Sequence, residues 1–461
     1  MTRDQRFVLT IAIVASFVAF LDGSVINVAL PAISSELGGG LSTQQWVVDA
    51  YLITLGSLIL LAGSLSDVFG RIVILRIGLI GFGVASLLIA VAPTPELLIV
   101  MRGAQGIAGA LLVPSSLALI MSTFRGAAQA HAIGQWTAWT SAAFIVGPVL
   151  GGAFVDLLSW RLVFAINVIP IAIALWLLVR LGHRDERKVN TRIDFIGAGL
   201  GIVGLGGPVF ALIEQGNLGW DSPAVYGPLA VGILSFVAFI VWQSKAAQPM
   251  LPLELFRRRN FSMGNIATFF IYGALALGGF IVVVYLQEVA GYSATFAGIA
   301  FLPSSLGIIV LSSYFGRLSG KYGPRLFMTL GPFLGGVGYV TFLRMGESVN
   351  YFTEVLPGVL LFSVGLSMTV APLTSAILGA ISAEQAGIGS AVNNAVSRIA
   401  GLVTVALIGV IAVGPLSPEN FHRVVIVTAA LLFAGALASL LGIRNPAATE
   451  EEAVEAAPPL A

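Results

Sequence analysis

The string Gly63-Ser-Leu-Ser-Asp67-Val-Phe-Gly70-Arg71 lies between two long apolar runs. In a chain that is 57% hydrophobic and 10% charged, a glycine-rich, charged break of this kind marks a tight turn between membrane-buried segments. A related string, Gly316-Arg-Leu-Ser-Gly320-Lys-Tyr-Gly323-Pro-Arg325, again separates two apolar runs. The chain therefore reads as two related halves. Duplicated helical bundles are one way to build a membrane pathway that opens to alternate sides.

Composition agrees. Mean hydropathy is +0.97, and the charged fraction is far below the roughly 25% of soluble domains. A net charge of +1 gives nucleic-acid binding no electrostatic basis. There is no cysteine, so disulfides, thiolate nucleophiles and cysteine metal sites are excluded. His131, His183 and His422 are too scattered for a metal site. The first apolar run, 7–30, is longer than a signal-peptide core and contains Asp22, so it reads as an uncleaved span.

About 20 apolar residues cross the hydrocarbon layer. Fourteen runs qualify: 7–30, 46–66, 73–92, 97–121, 132–155, 162–181, 194–214, 224–243, 261–288, 295–316, 326–344, 353–377, 387–412 and 421–442. All should be helices, because lipid offers no partner for backbone polar groups. Placing the N-terminus in the cytoplasm puts eighteen of the 23 Lys and Arg residues in cytoplasmic segments. Three (Arg161, Arg344, Arg423) fall outside and two (Arg102, Arg398) within spans. That bias supports an even number of spans with both termini cytoplasmic.

The expected architecture is thus an all-α integral membrane protein of 14 transmembrane helices. Two pseudo-symmetric six-helix bundles, 1–182 and 261–443, flank a 183–260 segment that holds two further helices and basic cytoplasmic loops. Residues 444–461 read as a disordered cytoplasmic tail, with Pro, Ala and the run Glu450–Glu452 and no apolar period.

Several strings resemble those of the major facilitator superfamily, and within it the fourteen-helix drug:proton antiporters. Gly63–Arg71 is similar to the signature loop between helices two and three. Arg102-Gly-Ala-Gln105-Gly106 lies in the fourth span, and Gly147-Pro148-Val-Leu-Gly151-Gly152 ends the fifth. Leu21-Asp22-Gly-Ser24-Val-Ile-Asn27-Val-Ala-Leu-Pro31, Trp160-Arg161, Phe164, Asn167 and Pro170 resemble the antiporter group. The resemblance implies a gating latch at Gly63, Asp67, Gly70 and Arg71, proton coupling at Arg102, and an antiport-associated kink at Gly147, Pro148, Gly151 and Gly152. Val68 and Ile72 stand where basic residues are common, and Gly320 replaces the acid in the second copy, so only the first copy should latch.

The residues carry physical readings of their own. Asp67 either pairs with Arg71 or a helix N-terminus, or sits in a solvated turn. An acid at mid-membrane costs about 2.5–3.5 kcal/mol. Asp22 should therefore face a cavity and exchange a proton, or else hydrogen-bond to a neighbouring helix. Arg102, Gln105, Gly106 and Gly109 share one helix face, which suits close packing next to a wet cavity; the alternative for Arg102 is a helix-packing arginine bonded to carbonyls. Further cavity candidates are Asn27, Gln135, Trp136, Trp139, Asn394 and Arg398. The tryptophans could instead anchor at the lipid surface. Glu214 and Glu288, near outer span ends, are secondary coupling candidates. Gly199-Leu-Gly201-Ile-Val-Gly204 fits a dinucleotide fingerprint but lies inside an apolar span with no preceding strand.

No G-x-x-x-x-G-K-[ST] string and no catalytic set is present, so neither ATP use nor an enzyme is expected. The expectation is a proton-coupled exporter of amphipathic or cationic small molecules in a bacterial plasma membrane. It would be a monomer in the lipid bilayer, need no cofactor beyond the proton gradient and bind no metal or nucleic acid. The alternative is an exporter of one metabolite, lipid or peptide.

Overall fold

The computed structural model describes residues 1–182, 193–382 and 385–445. All of the expected tail after Asn445, and most of the first basic linker, lie outside the described residues. Among the described residues, fourteen helices are long and apolar enough to cross a membrane. They are α1 (Arg3–Leu37), α2 (Gly40–Phe69), α3 (Arg71–Ala90), α4 (Pro95–Thr123), α5 (Ala128–Leu157), α6 (Leu162–Leu181) and α7 (Phe195–Leu218). The remainder are α8 (Pro223–Lys245), α9 (Arg259–Glu288), α10 (Ala294–Tyr322), α11 (Pro324–Arg344), α12 (Tyr351–Leu378), α13 (Ala386–Ile411) and α14 (Pro418–Gly442).

The count matches the apolar runs, but several helices extend past them because their ends are capped. Thr2 and Gln5 form a reciprocal capping box, which starts α1 ahead of its first apolar residue. Thr94 caps α4, with Pro95 at its first position. The two related strings make the same turn. Gly70, between α2 and α3, has φ +100°, and Gly323, between α10 and α11, has φ +81°. Both values lie in the left-handed region open chiefly to glycine.

Helix neighbours repeat between the halves. In the first, α1 packs on α4, α5 and α6, α4 on α2 and α3, and α3 on α6. In the second, α9 packs on α12, α13 and α14, α12 on α10 and α11, and α11 on α14. Adding eight to each number turns one set into the other. The seams between bundles obey the same relation: α2 meets α13, α5 meets α10, and α1 meets α9. The added pair packs chiefly on itself, and α7 alone of the two also packs extensively on α2 and α13. Its glycines serve that packing. Gly204 abuts Phe236 of α8 and Gly207 abuts Pro228 and Gly232, so the fingerprint-like string is a helix contact.

The bundles touch most closely in the halves of these helices remote from the termini. Gly152 of α5 lies against the backbone of Thr295 in α10, and Gly298 of α10 lies against the Pro148 carbonyl. The Asp156 carboxylate accepts from the N–H groups of Ala294 (3.0 Å) and Thr295 (2.8 Å). At the other seam, Gln45 Nε2 donates to the carbonyls of Val405 (2.7 Å) and Ala406 (3.1 Å). Gln44 Nε2 donates to Glu288 (2.6 Å). The far side is sealed.

A side chain at Gly152 would hold that seal apart, because overpacking a tight contact costs about 1–3 kcal/mol. Gly152→Leu should raise far-side labelling of a single cysteine at Val28, buried at this seam, by about tenfold. The native chain has no cysteine, so an impermeant maleimide reads it directly. Unchanged labelling would show that Gly152 is not part of the seal.

Candidate functional site

The site grows from the charge buried in the first bundle. Arg102 of α4 donates from Nη1 to Asp22 Oδ2 of α1 at 2.6 Å, and each side chain is 1% exposed. The same Nη1 donates to Gln105 Oε1 at 2.6 Å, and Nε donates to the Val47 carbonyl of α2 at 2.8 Å. The guanidinium lies 4.4 Å from the Tyr51 ring centre and 5.8 Å from that of Phe164. Asp22 Oδ1 accepts from Gln105 Nε2 (3.0 Å) and Asn167 Nδ2 (3.2 Å). Both amides also donate to Ser86 Oγ of α3, at 2.9 and 3.4 Å. One ion pair thus ties together α1, α2, α3, α4 and α6.

This corrects the expected surroundings of three residues. Asp22, Arg102 and Gln105 do not face a wet cavity; all three are buried and hydrogen-bond to one another and to Val47, Ser86 and Asn167. The alternative reading of Asp22, a bond to a neighbouring helix, is the arrangement present. Asn167 and Ser86 complete the cluster. Asn167 stood among the resembling residues, but no string pointed to Ser86.

A second buried acid has the opposite environment. Asp49 of α2 has no exposed surface, and neither carboxylate oxygen has a hydrogen-bond partner. It lies one turn from Gln45, which holds α13, and one turn before Ile53, which lies near Gly206 of α7. Seven residues on, Gly56 lies against Arg398 of α13. Asp49 therefore sits on the face of α2 that forms the seam with α13 and α7. Buried unpaired charge is the costliest state for a side chain in hydrocarbon.

Arg398 carries the matching irregularity in the second bundle. It is half-buried, its Nε has no partner, and it lies within electrostatic reach of the Tyr51 and Tyr272 hydroxyls. Asn394 is also half-buried. The neighbouring Asn393, which no string pointed to, donates to Asn265 (3.2 Å) and Thr268 (2.7 Å) of α9.

The remaining expected residues separate by role. Asp67 and Arg71 approach to 3.6 Å and are both partly exposed, at the terminal end of α2 beside Gly70. Gly63 has open space where a side chain would go. Gly147 and Gly151 admit Ser24, Val25 and Val28 of α1, and Pro148 lies inside α5. Trp136 donates to Ser16 of α1 (3.0 Å), whereas Trp139 and Gln135 are exposed and Asn27 is half-buried. Glu214 is half-buried and accepts from Trp46 of α2 at 2.6 Å, and exposed Glu288 accepts from Gln44. Both acids therefore hold the far end of α2.

Two pseudo-symmetric six-helix bundles with buried charge at and beside their seam define a membrane transporter rather than an enzyme. The chain belongs to the Major Facilitator Superfamily, whose sequence model matches residues 12–405. It is 34% identical over 408 residues to a methylenomycin A resistance protein of Bacillus subtilis, covering 88% of this chain and 87% of that one. To the puromycin resistance protein pur8 of Streptomyces alboniger it is 33% identical, covering 88% and 81%. To the multidrug resistance protein Stp of Mycobacterium tuberculosis it is 32% identical, covering 89% and 76%. Among solved structures, a POT family transporter in complex with 5-aminolevulinic acid shares the fold, with a TM-score of 0.72 at 14% identity and 96% of each chain covered.

Removing one partner of a buried ion pair strands the other charge and costs about 3–5 kcal/mol, whereas replacing both costs far less. Asp22→Leu and Arg102→Met should each lower the thermal unfolding temperature of the purified protein sharply, and the double variant should recover much of the loss. Additive losses would contradict the paired geometry.

Proposed function

We propose that this transporter exports amphipathic or cationic small molecules in exchange for protons, and that Asp49 carries the proton. The observation behind this reading is the buried carboxyl with two unpartnered oxygens at the α2–α13 seam. An ionised carboxylate there would lack any compensating donor, while a protonated one carries no charge to compensate. Parting the seam brings the same group to water, where it can exchange its proton. Asp22 is the weaker carrier, because Arg102, Gln105 and Asn167 already satisfy its charge.

The orientation follows from the Lys and Arg distribution, which puts both termini in the cytoplasm. The sealed far side is then the outer face, and rocking of the bundles about the α2–α13 and α5–α10 seams would alternate access. The Asp67–Arg71 turn would latch the cytoplasmic side in the opposite state. Export is supported by relatives named for antibiotic and multidrug resistance. Two of them are named for resistance to one compound each, which favours a dedicated cargo as the second reading. A proton crossing 100 mV releases about 2.3 kcal/mol, and each pH unit adds about 1.4 kcal/mol. That supports tens- to hundreds-fold accumulation per proton.

Flux of a fluorescent lipophilic cation in proteoliposomes with an imposed pH gradient tests the reading. Wild type should accumulate the cation. Asp49→Asn should lose gradient-driven accumulation at least about tenfold while keeping cation exchange without a gradient. Gradient-driven flux retained in Asp49→Asn would move the proton to another acid. Absence of cation movement in wild type would favour a single dedicated substrate.

A further inference from the structure

A partly open cavity of about 420 Å³ lies apart from both buried acids. Its walls come from α2, α7, α8, α9 and α13, and the segment after α8, Met250 to Phe256, floors it on the terminal side. It thus fills the angle between the added helix pair and the seam of the two bundles. Gly201, Phe239, Phe256, Phe269 and Val396 are representative of its lining. The one polar side chain among the lining residues is Ser57.

Three observations define the occupant. First, a pocket that orients a polar ligand carries several convergent polar groups, and this one offers a nearly unbroken hydrocarbon wall. Second, its depth is one leaflet. Phe256 lies just before α9 begins at Arg259, and Phe269 is ten residues into that helix, about 15 Å at 1.5 Å per residue. That is half of the ~30 Å hydrocarbon layer.

Third, the mouth is basic. Arg257, Arg258 and Arg259 follow Phe256 directly and are exposed, as is Lys245 at the end of α8. Arg259 is committed to the carbonyls of Gly442 (2.9 Å) and Leu441 (2.8 Å). Among the described residues Arg257 and Arg258 form no ion pair, and the nearby acid in sequence is exposed Glu254. Basic residues at the end of an apolar intramembrane cleft match the chemistry of an anionic lipid headgroup.

We propose that this chamber binds an anionic phospholipid of the leaflet on the side of the termini. One acyl chain occupies the cavity, and the phosphate rests on Arg257 and Arg258. The chain supplies contacts that an empty void would forfeit and wedges the α7–α8 pair against the α2–α13 seam. Bilayer composition thereby acts on the same seam that holds Asp49. The proposal does not depend on proton coupling or on the direction of transport.

The test uses the purified full-length protein and phosphatidylglycerol bearing a photoreactive diazirine midway along one acyl chain, with adducts mapped by mass spectrometry. Adducts should fall on the lining residues of α7, α8 and 250–256. Unlabelled phosphatidylglycerol should compete about tenfold better than phosphatidylcholine. The cavity-filling variants Gly201→Phe and Ala395→Phe should lose about nine-tenths of this labelling. Arg257→Gln/Arg258→Gln, on exposed side chains that leave the fold unburdened, should bring the two lipids to near parity. Adducts spread over the outward face of α8 would overturn the proposal, as would equal competition by the two lipids in wild type. Displacement of the label by a lipophilic cation and not by phosphatidylglycerol would assign the chamber to cargo instead.

Discussion

A carboxylate within the hydrocarbon layer needs a counter-charge, a set of donors, or a proton. This molecule meets that constraint in two different ways. Asp22 takes the first two solutions at once, with Arg102 at 2.6 Å and the amides of Gln105 and Asn167 around it. Because those partners come from different helices, satisfying one charge fixes most of a bundle. α1, α2, α3, α4 and α6 are bound into one unit, and α5 joins through Ser24 on the Ala143 carbonyl and Trp136 on Ser16. Motion is therefore left to the seams.

Those seams are related by the same internal repeat as the bundles. α2 on α13 and α5 on α10 are one contact made twice. Each uses small residues at the contact: Gly56 against Arg398 at one, Gly152 and Gly298 at the other. Hydrogen bonds that can re-form with water, from Gln45 and to Asp156, complete the seal. Asp49 lies in the first seam, and its symmetry-related seam holds α5 with Pro148 inside it. The acid without hydrogen-bond partners thus lies at a seam between the bundles, while the satisfied acid lies within one bundle.

Much of this was legible in the sequence, for identifiable reasons. Lipid enforces long apolar helices, so the fourteen spans follow from composition and length. The paired turns at Gly70 and Gly323 could be read because both need positive φ. In the Gly147–Gly152 string, whose glycines are a turn apart, Gly147 and Gly151 lie against α1 and Gly152 against α10. The partner of Asp22 could not be read, since the residues lie 80 positions apart and periodicity says nothing of which helices meet.

Asp49 escaped for a physical reason. Ser42, Thr43, Gln44 and Gln45 are polar, so the apolar run begins at Trp46 and Asp49 reads as an end residue. The helix in fact begins at Gly40, with Ser42, Gln44 and Gln45 held by α7, α9 and α13. Asp49 is therefore nine residues, about 13 Å, inside the helix. Two adjacent glutamines ahead of an acid in an apolar run were the available signal.

The central claim is that Asp49 gives up a proton when cargo binds. Calorimetric titration of the purified protein with a lipophilic cation, in buffers of different ionisation enthalpy, counts the protons released. About one proton should be released in wild type and in Asp22→Asn protein that remains folded, and none in Asp49→Asn that still binds cation. Undiminished release from Asp49→Asn would contradict the claim.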